Sequence, residues 1–144
     1  MAQRKASVVW EKDLLKGAGN VTVGSGAFQQ FPVTWASRTE DSGGKTSPEE
    51  LLAAAHASCY AMSLSATLAR RGTPSERLDV TAVCSFERVG DGWKVTTSDL
   101  SVTGKVPGID GATFEEAART AEKACPISNA IRNNVEIRLS AILA

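Results

Sequence analysis

Histidine is almost missing from this chain, cysteine is scarce, and neither sign of charge is in excess. Its 144 residues include one histidine and three cysteines. One histidine with no paired cysteines leaves no zinc-type ligand set, and no metal or other cofactor is expected. The cysteines, Cys59, Cys84 and Cys125, are odd in number and far apart in sequence, which excludes a disulfide framework. The 16 basic and 16 acidic side chains cancel, and they are scattered. No basic block or stripe appears, so neither a nucleic-acid nor a membrane partner is indicated. The opening stretch, Met1 to Asp13, has no apolar core of the length a secretory signal needs, so a cytoplasmic protein is expected. Thiols are kept reduced there, and a cytosolic pair that does bond is more often transient and catalytic than structural.

What is present reads as one domain over residues 1–144, with no internal repeat and no linker. The first third suggests strands at Ser7–Trp10, Asn20–Val23 and Phe28–Trp35, broken at Gly17, Gly19 and the Gly24–Gly26 turn. A polar loop, Ser37–Thr46, then carries Arg38. Ser47, Pro48 and Glu50 make a Ser-x-x-Glu capping box with proline at the first helical position. The helix they open runs to about Arg70 and stops at Gly72 and Pro74. Leu78–Phe86 alternates, with Leu78, Val80, Ala82, Cys84 and Phe86 on one face. The turn Gly90–Asp91–Gly92 pairs it with Trp93–Lys105. A second helix, Phe114–Ala124, is expected behind a Thr113 cap; Pro126 restarts a short helix to about Asn133, and Val135–Leu143 is the last strand.

The long helix has no charged residue from Leu51 to Ala69. Its length passes a transmembrane filter. Its alanines, serines, threonine and His56 leave too little bulk for a stable span. A helix uncharged on all sides is a central buried helix. One sheet of a small domain covers one of its faces, and the other needs a second surface. A homodimer is therefore expected, with this helix near its twin or beneath the partner's strands.

Each cysteine first has a structural reading. Cys84 falls on the apolar face of its strand, as a small buried hydrophobe does. Cys59 lies mid-helix among Ala55, His56, Met62 and Ser63, where a core thiol is the ordinary expectation. Cys125 continues the Phe114, Ala117, Ala118, Ala121 stripe. It also precedes Pro126 at the junction of two helices, and a helix N-terminus favours a thiolate.

The segment from Ser47 to Tyr60, SPEELLAAAHASCY, resembles the signature helix of the family of osmotically induced protein OsmC and organic hydroperoxide resistance protein Ohr. Three further segments resemble that family in order: Ser37-Arg38-Thr39-Glu40, Val106-Pro107-Gly108-Ile109-Asp110, and Ala124-Cys125-Pro126-Ile127-Ser128. The Val-Pro-Gly-Ile-Asp turn points to the OsmC branch. Ser47 stands where Asn is common before the proline, and Tyr60 where Phe is frequent.

The resemblance implies an α+β fold, with antiparallel sheets wrapped around two long central helices in an intertwined homodimer. It implies a two-cysteine peroxidase acting on organic hydroperoxides at the dimer interface. Cys59 would attack, Cys125 would resolve, and a dithiol reductant, such as the lipoylated proteins used in the Ohr branch, would restore both thiols. Burial opposes thiolate formation, so a cation is needed, and the resemblance supplies Arg38. A carboxylate must hold the guanidinium. Glu50 is expected to be engaged in the capping box, folded back on the Ser47 backbone; Glu49 is free of that duty and matches the family's motif glutamate, so the resemblance implies Glu49. Ten helical residues separate Glu49 from Cys59, about 15 Å along the axis. Arg38 and Glu49 of one chain are therefore expected to serve Cys59 of the other. His56, one turn before Cys59, reads as a satisfied packing residue rather than a base. Met62, Ile109, Phe28 and Phe31 are expected to line an apolar pocket. The alternative is a dimeric redox sensor or apolar-ligand binder on the same fold, without rapid turnover.

Overall fold

The computed structural model describes all 144 residues, and the chain divides into two compact units, Met1–Leu51 and Leu52–Ala144. In the first, β1 (Ala6–Glu11), β2 (Ala18–Val23) and β3 (Phe31–Val33) form an antiparallel meander. The β1–β2 connection is drawn in by Asp13, whose Oδ1 accepts from the amides of Leu15 at 3.0 Å and Lys16 at 2.8 Å.

β3 is shorter than the expected Phe28–Trp35 strand. Gln30 takes a left-handed φ of 55°, and Pro32 has no amide to give a ladder. Thr34 then starts a helix. Its Oγ1 accepts from the Ser37 amide and Ser37 Oγ accepts from the Thr34 amide, both at 3.0 Å. This reciprocal cap opens α1 (Trp35–Thr39), so Arg38 sits on a helical turn and not in the loop expected of it.

Helix α2 has the expected bounds, Pro48–Arg70. Ser47 Oγ accepts from the Glu50 amide at 3.1 Å, and Gly72, at φ 78°, ends the run in the left-handed region that favours glycine. Glu50 does not close the capping box as expected, because its Oε2 accepts from the Thr46 hydroxyl instead.

In the second unit β4 (Arg77–Val89) and β5 (Gly92–Lys105) form a long antiparallel hairpin across a turn at Gly90 and Asp91. Helices α3 (Gly111–Ala124) and α4 (Pro126–Ile131) follow, then β6 (Glu136–Leu143). β6 pairs parallel to β5, so this sheet is mixed where only antiparallel pairing was expected. The reason is topological: α3 and α4 form the long crossover that a parallel neighbour requires. α3 starts earlier than its predicted Thr113 cap. Asp110 caps it, accepting from the Thr113 amide at 2.8 Å.

The core of this unit is a layer of helices on one face of that sheet. Tyr60, Leu64 and Leu68 recur every fourth residue of α2 and pack with Leu100 and Val102 of β5 and Phe114, Ala117, Ala118 and Ala121 of α3. Cys125 belongs to the same fully buried cluster. The opposite side of α2 is uncovered: Ala54, Ser58, Met62, Ser65 and Ala69 are exposed, Met62 by 66%. The uncharged helix is thus buried on one face only within a single chain.

Candidate active site

The first unit builds a fixed cation. Arg38, on α1, meets Glu49, in the first turn of α2, side-on. Arg38 Nε donates to Glu49 Oε1 at 3.0 Å and to Oε2 at 3.1 Å, and Nη2 donates to Oε1 at 2.7 Å. The Glu49 side chain is only 8% exposed, against 30% for Arg38. A carboxylate that buried holds the planar guanidinium in one orientation, because two parallel hydrogen bonds fix angle as well as distance. The guanidinium carbon also lies 5.9 Å from the centre of the Trp35 ring. The sequence-level choice of Glu49 over Glu50 agrees with this pairing.

Arg38 lies on the wall of a cavity of about 430 Å³ whose other walls include Val8, Trp10, Leu14, Trp35 and Leu51. None of the four residues expected to form an apolar pocket lines it. Phe28 and Phe31 meet each other edge-on at 4.6 Å, and Phe28 lines a different hollow beside Arg4 and Lys5. Met62 is on the exposed face of α2, and Ile109 packs against the core of the second unit. The residues that do form the cavity lie on β1, the β1–β2 connection, β2, β3, α1 and the start of α2, and nothing in their sequence spacing signalled that they converge on Arg38.

The second unit brings two thiols together. Cys59 of α2 and Cys125, which ends α3 and begins α4, are near enough for Cys125 to act on the Cys59 thiol although 66 positions apart in sequence, and Cys59 packs against the buried cluster that holds Cys125. Cys125 is fully buried, whereas Cys59 is partly exposed. Burial pushes the Cys59 thiol above its ordinary pKa; the Ile127 amide, donating to the sulfur, opposes this, and the hydrogen bond to Cys125 reinforces it. Cys84 lies on β4, and its thiol donates to Ser98 Oγ at 3.6 Å.

Helix α2 is held on both sides of Cys59. One turn before it, His56 Nδ1 bonds Ser98 Oγ at 2.7 Å and Nε2 bonds Ser128 Oγ at 2.8 Å. All three side chains are fully buried. Burial, outweighing the pull of Glu122, lowers the His56 pKa. The ring is therefore neutral and satisfied, as the sequence suggested. Beyond Cys59, the hydroxyls of Tyr60 and Ser63 donate to the carbonyls of Ala118 and Ala121 on α3, at 3.2 and 2.8 Å. The two serines that grip His56 were not singled out in the sequence. Ser128 stood in the quoted Cys-Pro-Ile-Ser segment, but nothing there assigned it a partner 72 positions away.

An accessible thiol backed by a buried one can be oxidised from solvent and then close on its neighbour. Comparison with known proteins agrees with that chemistry. The OsmC-like protein family pattern matches residues 40–140, which include Glu49 and both paired cysteines. Peroxiredoxin OsmC of Escherichia coli (strain K12) is 36% identical over 134 residues, 93% of each chain. The organic hydroperoxide resistance protein of Xanthomonas axonopodis pv. citri (strain 306) is 29% identical over 100 residues, 68% of each chain. Among solved structures, the organic hydroperoxide resistance protein OhrB of Bacillus subtilis superposes with a TM-score of 0.74 at 22% identity, covering 95% of this chain and 97% of that one. Its likeness supports the mixed α+β architecture described above. Pattern, pairwise identity and architecture agree, and the chain belongs to the OsmC-like protein family.

Proposed function

We propose that this protein is a thiol peroxidase that reduces organic hydroperoxides to alcohols, with Cys59 as the attacking thiol and Cys125 as the resolving one. One observation carries the reading: a partly exposed thiol beside a fully buried one from a distant part of the chain. The names of its relatives, peroxiredoxin and organic hydroperoxide resistance protein, support the same chemistry. The Cys59 thiolate attacks the terminal oxygen of the hydroperoxide. An S–O bond forms, the O–O bond breaks, and the alkoxide leaves as the alcohol after taking a proton. Cys125 sulfur then attacks the sulfenic sulfur. An S–S bond forms, the S–O bond breaks, and hydroxide leaves as water with the Cys125 proton. A dithiol reduces the disulfide by exchange and is itself oxidised. Such a cycle suits a cytoplasmic location, where dithiol reductants are maintained.

The remaining parts of the proposal concern assembly. The exposed, uncharged face of α2 is the surface a homodimer would cover. In that dimer Arg38, fixed by Glu49, serves the Cys59 of the other chain. The apolar cavity around Arg38 takes the organic part of the peroxide, so bulky alkyl and aryl hydroperoxides are preferred to hydrogen peroxide.

Three measurements test the reading. One equivalent of cumene hydroperoxide should yield a tryptic peptide pair linked through Cys59 and Cys125, with Cys84 free. Turnover under excess dithiothreitol should show a higher kcat/KM for cumene hydroperoxide than for hydrogen peroxide; equal values count against the apolar cavity. A chain that oxidises once and does not turn over is a sensor, and that outcome overturns the enzymatic reading. Mixing Cys59→Ala with Arg38→Ala subunits should regenerate active heterodimers; no recovery refutes the cross-chain arrangement.

A further inference from the structure

We propose that His56 is a positioning residue for disulfide closure: through Ser128 it locks α4, and with it Cys125, against the helix that carries Cys59. The inference rests on the peroxidase reading and deepens it, because it assigns the second chemical step a residue that touches neither sulfur.

α4 is six residues long, and its N-cap is Cys125, which makes no side-chain capping bond. A single helical turn has little stability of its own, so its position is set by what grips it. Two grips reach back to α3. Arg132 Nη2 donates to Glu122 Oε1 at 2.7 Å, and Asn129 Nδ2 donates to the Lys123 carbonyl at 3.2 Å. Both clasp the elbow at Cys125 from its own two arms, and neither sets the distance to Cys59. Besides the Ile127 amide, which reaches the Cys59 sulfur from α4, the hydrogen bond joining α4 to α2 is the side-chain one between His56 and Ser128. It lies three residues before Cys59 on one helix and three after Cys125 on the other, so it braces the two sulfurs from one side.

The imidazole is itself anchored. Ser98 of β5 holds the second ring nitrogen, and the Cys84 thiol donates to Ser98. A neutral imidazole has one donor and one acceptor nitrogen, so it donates to one of these serines and accepts from the other. Three fully buried polar side chains in an apolar core make poor sense as packing, since leucine or valine would fill the space without needing partners. Hydrogen bonds differ from apolar contacts in fixing direction as well as distance. Closure needs that control. Cys125 sulfur must approach along the S–O axis of the oxidised Cys59, and a displacement of about 1 Å can cost about a hundredfold in rate.

The test separates closure from oxidation. Sulfenic acid formation at Cys59 is followed by dimedone trapping, and its disappearance by the growth of disulfide, in the wild type, Ser128→Ala and Ser128→Thr. In Ser128→Ala, closure should slow about tenfold more than sulfenic acid formation does, and the dimedone adduct should accumulate. Ser128→Thr, which keeps the hydroxyl, should restore closure. Ser98→Ala frees the other end of the ring and should shift the same ratio in the same direction. Equal slowing of both steps, or a lowered Tm with closure unchanged, overturns the proposal. A peroxide-free arm keeps it distinct from the peroxidase reading. In glutathione redox buffers the effective concentration of Cys125 toward Cys59 should fall about tenfold in Ser128→Ala and recover in Ser128→Thr, whether or not the protein consumes peroxide. An unchanged effective concentration in Ser128→Ala refutes the positioning role even if peroxidase activity is confirmed.

Discussion

Replacing Arg38 with alanine tests where the reactivity of Cys59 comes from. Within one unit, burial and the hydrogen bond to Cys125 together raise the thiol pKa, and the Ile127 amide opposes them without prevailing. Such a thiol is at most a few per cent ionised at neutral pH. A guanidinium about 4 Å away, at an effective dielectric of about 20, stabilises the thiolate by about 4 kcal/mol. That is about a thousandfold in the ratio of thiolate to thiol. Part of the gain is lost, because a less basic thiolate is a weaker nucleophile: a Brønsted slope of about 0.45 removes about twentyfold. The net expectation at about pH 5.5, where both proteins are mostly protonated, is alkylation of Cys59 about fortyfold faster in the wild type than in Arg38→Ala. At strongly alkaline pH both are ionised and the order reverses, the variant reacting about twentyfold faster. The assay is iodoacetamide alkylation followed by peptide mass analysis across that range. Crossing profiles identify electrostatic activation. Profiles that coincide within about threefold at every pH, less than the predicted gap by a factor of ten, refute Arg38 as the activating cation.

Other predictions follow from the geometry of single sites. A Cβ on Gly104 would lie 2.4 Å from a ring carbon of Phe114, which is fully buried and cannot yield, so Gly104→Ala should cost about 1–3 kcal/mol in urea unfolding; an unchanged midpoint would show that the ring has room. His56 is the only histidine, and its folded pKa is lowered by burial. The unfolded chain therefore binds a proton first as pH falls: stability is full above about 6.5 and declines below it, by at most about 1.4 kcal/mol per unit. Urea unfolding between about pH 6.5 and 5, above the range in which most carboxylates titrate, should show that slope in the wild type and lose it in His56→Gln; the same slope in both would assign it elsewhere. Met62→Lys places a charge on the uncovered face of α2 and should halve the mass seen by light scattering at micromolar concentration; a retained dimer mass removes this face from the interface.

The sequence was most legible where local signals agreed. Pro48–Arg70 was bounded correctly because a capping serine, a first-turn proline and a terminating glycine all act within a few residues of the ends. The β4–β5 hairpin was legible for the same reason, since Gly90 and Asp91 leave no room for any longer connection. Failures came where a distant partner decided. Nothing in Val135–Leu143 says that its neighbour runs parallel; that follows from the crossover through α3 and α4. Thr34 looked like the tail of a strand because its capping role depends on Ser37 turning back toward it. At the site, the pairing of Arg38 with Glu49 was inferred from family likeness and then found as a side-on ion pair. The cavity beside it was not foreseen, because its walls come from β1, β2, β3, α1, the start of α2 and a connection, and aromatic content alone does not say which residues converge.

The arrangement within the second unit bears on why such a site would be divided. A thiol that is to react with peroxide gains from a low pKa, yet every thiolate in a cell is also exposed to adventitious oxidation and alkylation. Cys59 is placed so that its own surroundings favour the neutral thiol, with the Ile127 amide the one group pulling the other way. On the proposed arrangement the missing stabilisation, about 4 kcal/mol, arrives with the partner's guanidinium, so an unassembled chain keeps its attacking sulfur protonated and slow. The buried Cys125 is protected differently, by exclusion of solvent, and needs no ionisation in advance because the sulfenic sulfur is already electrophilic. Positioning is the remaining requirement, and it is met inside one unit, by the His56 bridge. Activation and closure thus depend on separate parts of the molecule. A substitution that abolishes one should leave the other measurable, which is the pattern expected when the reactive sulfur is switched on by assembly and the resolving sulfur is fixed by folding.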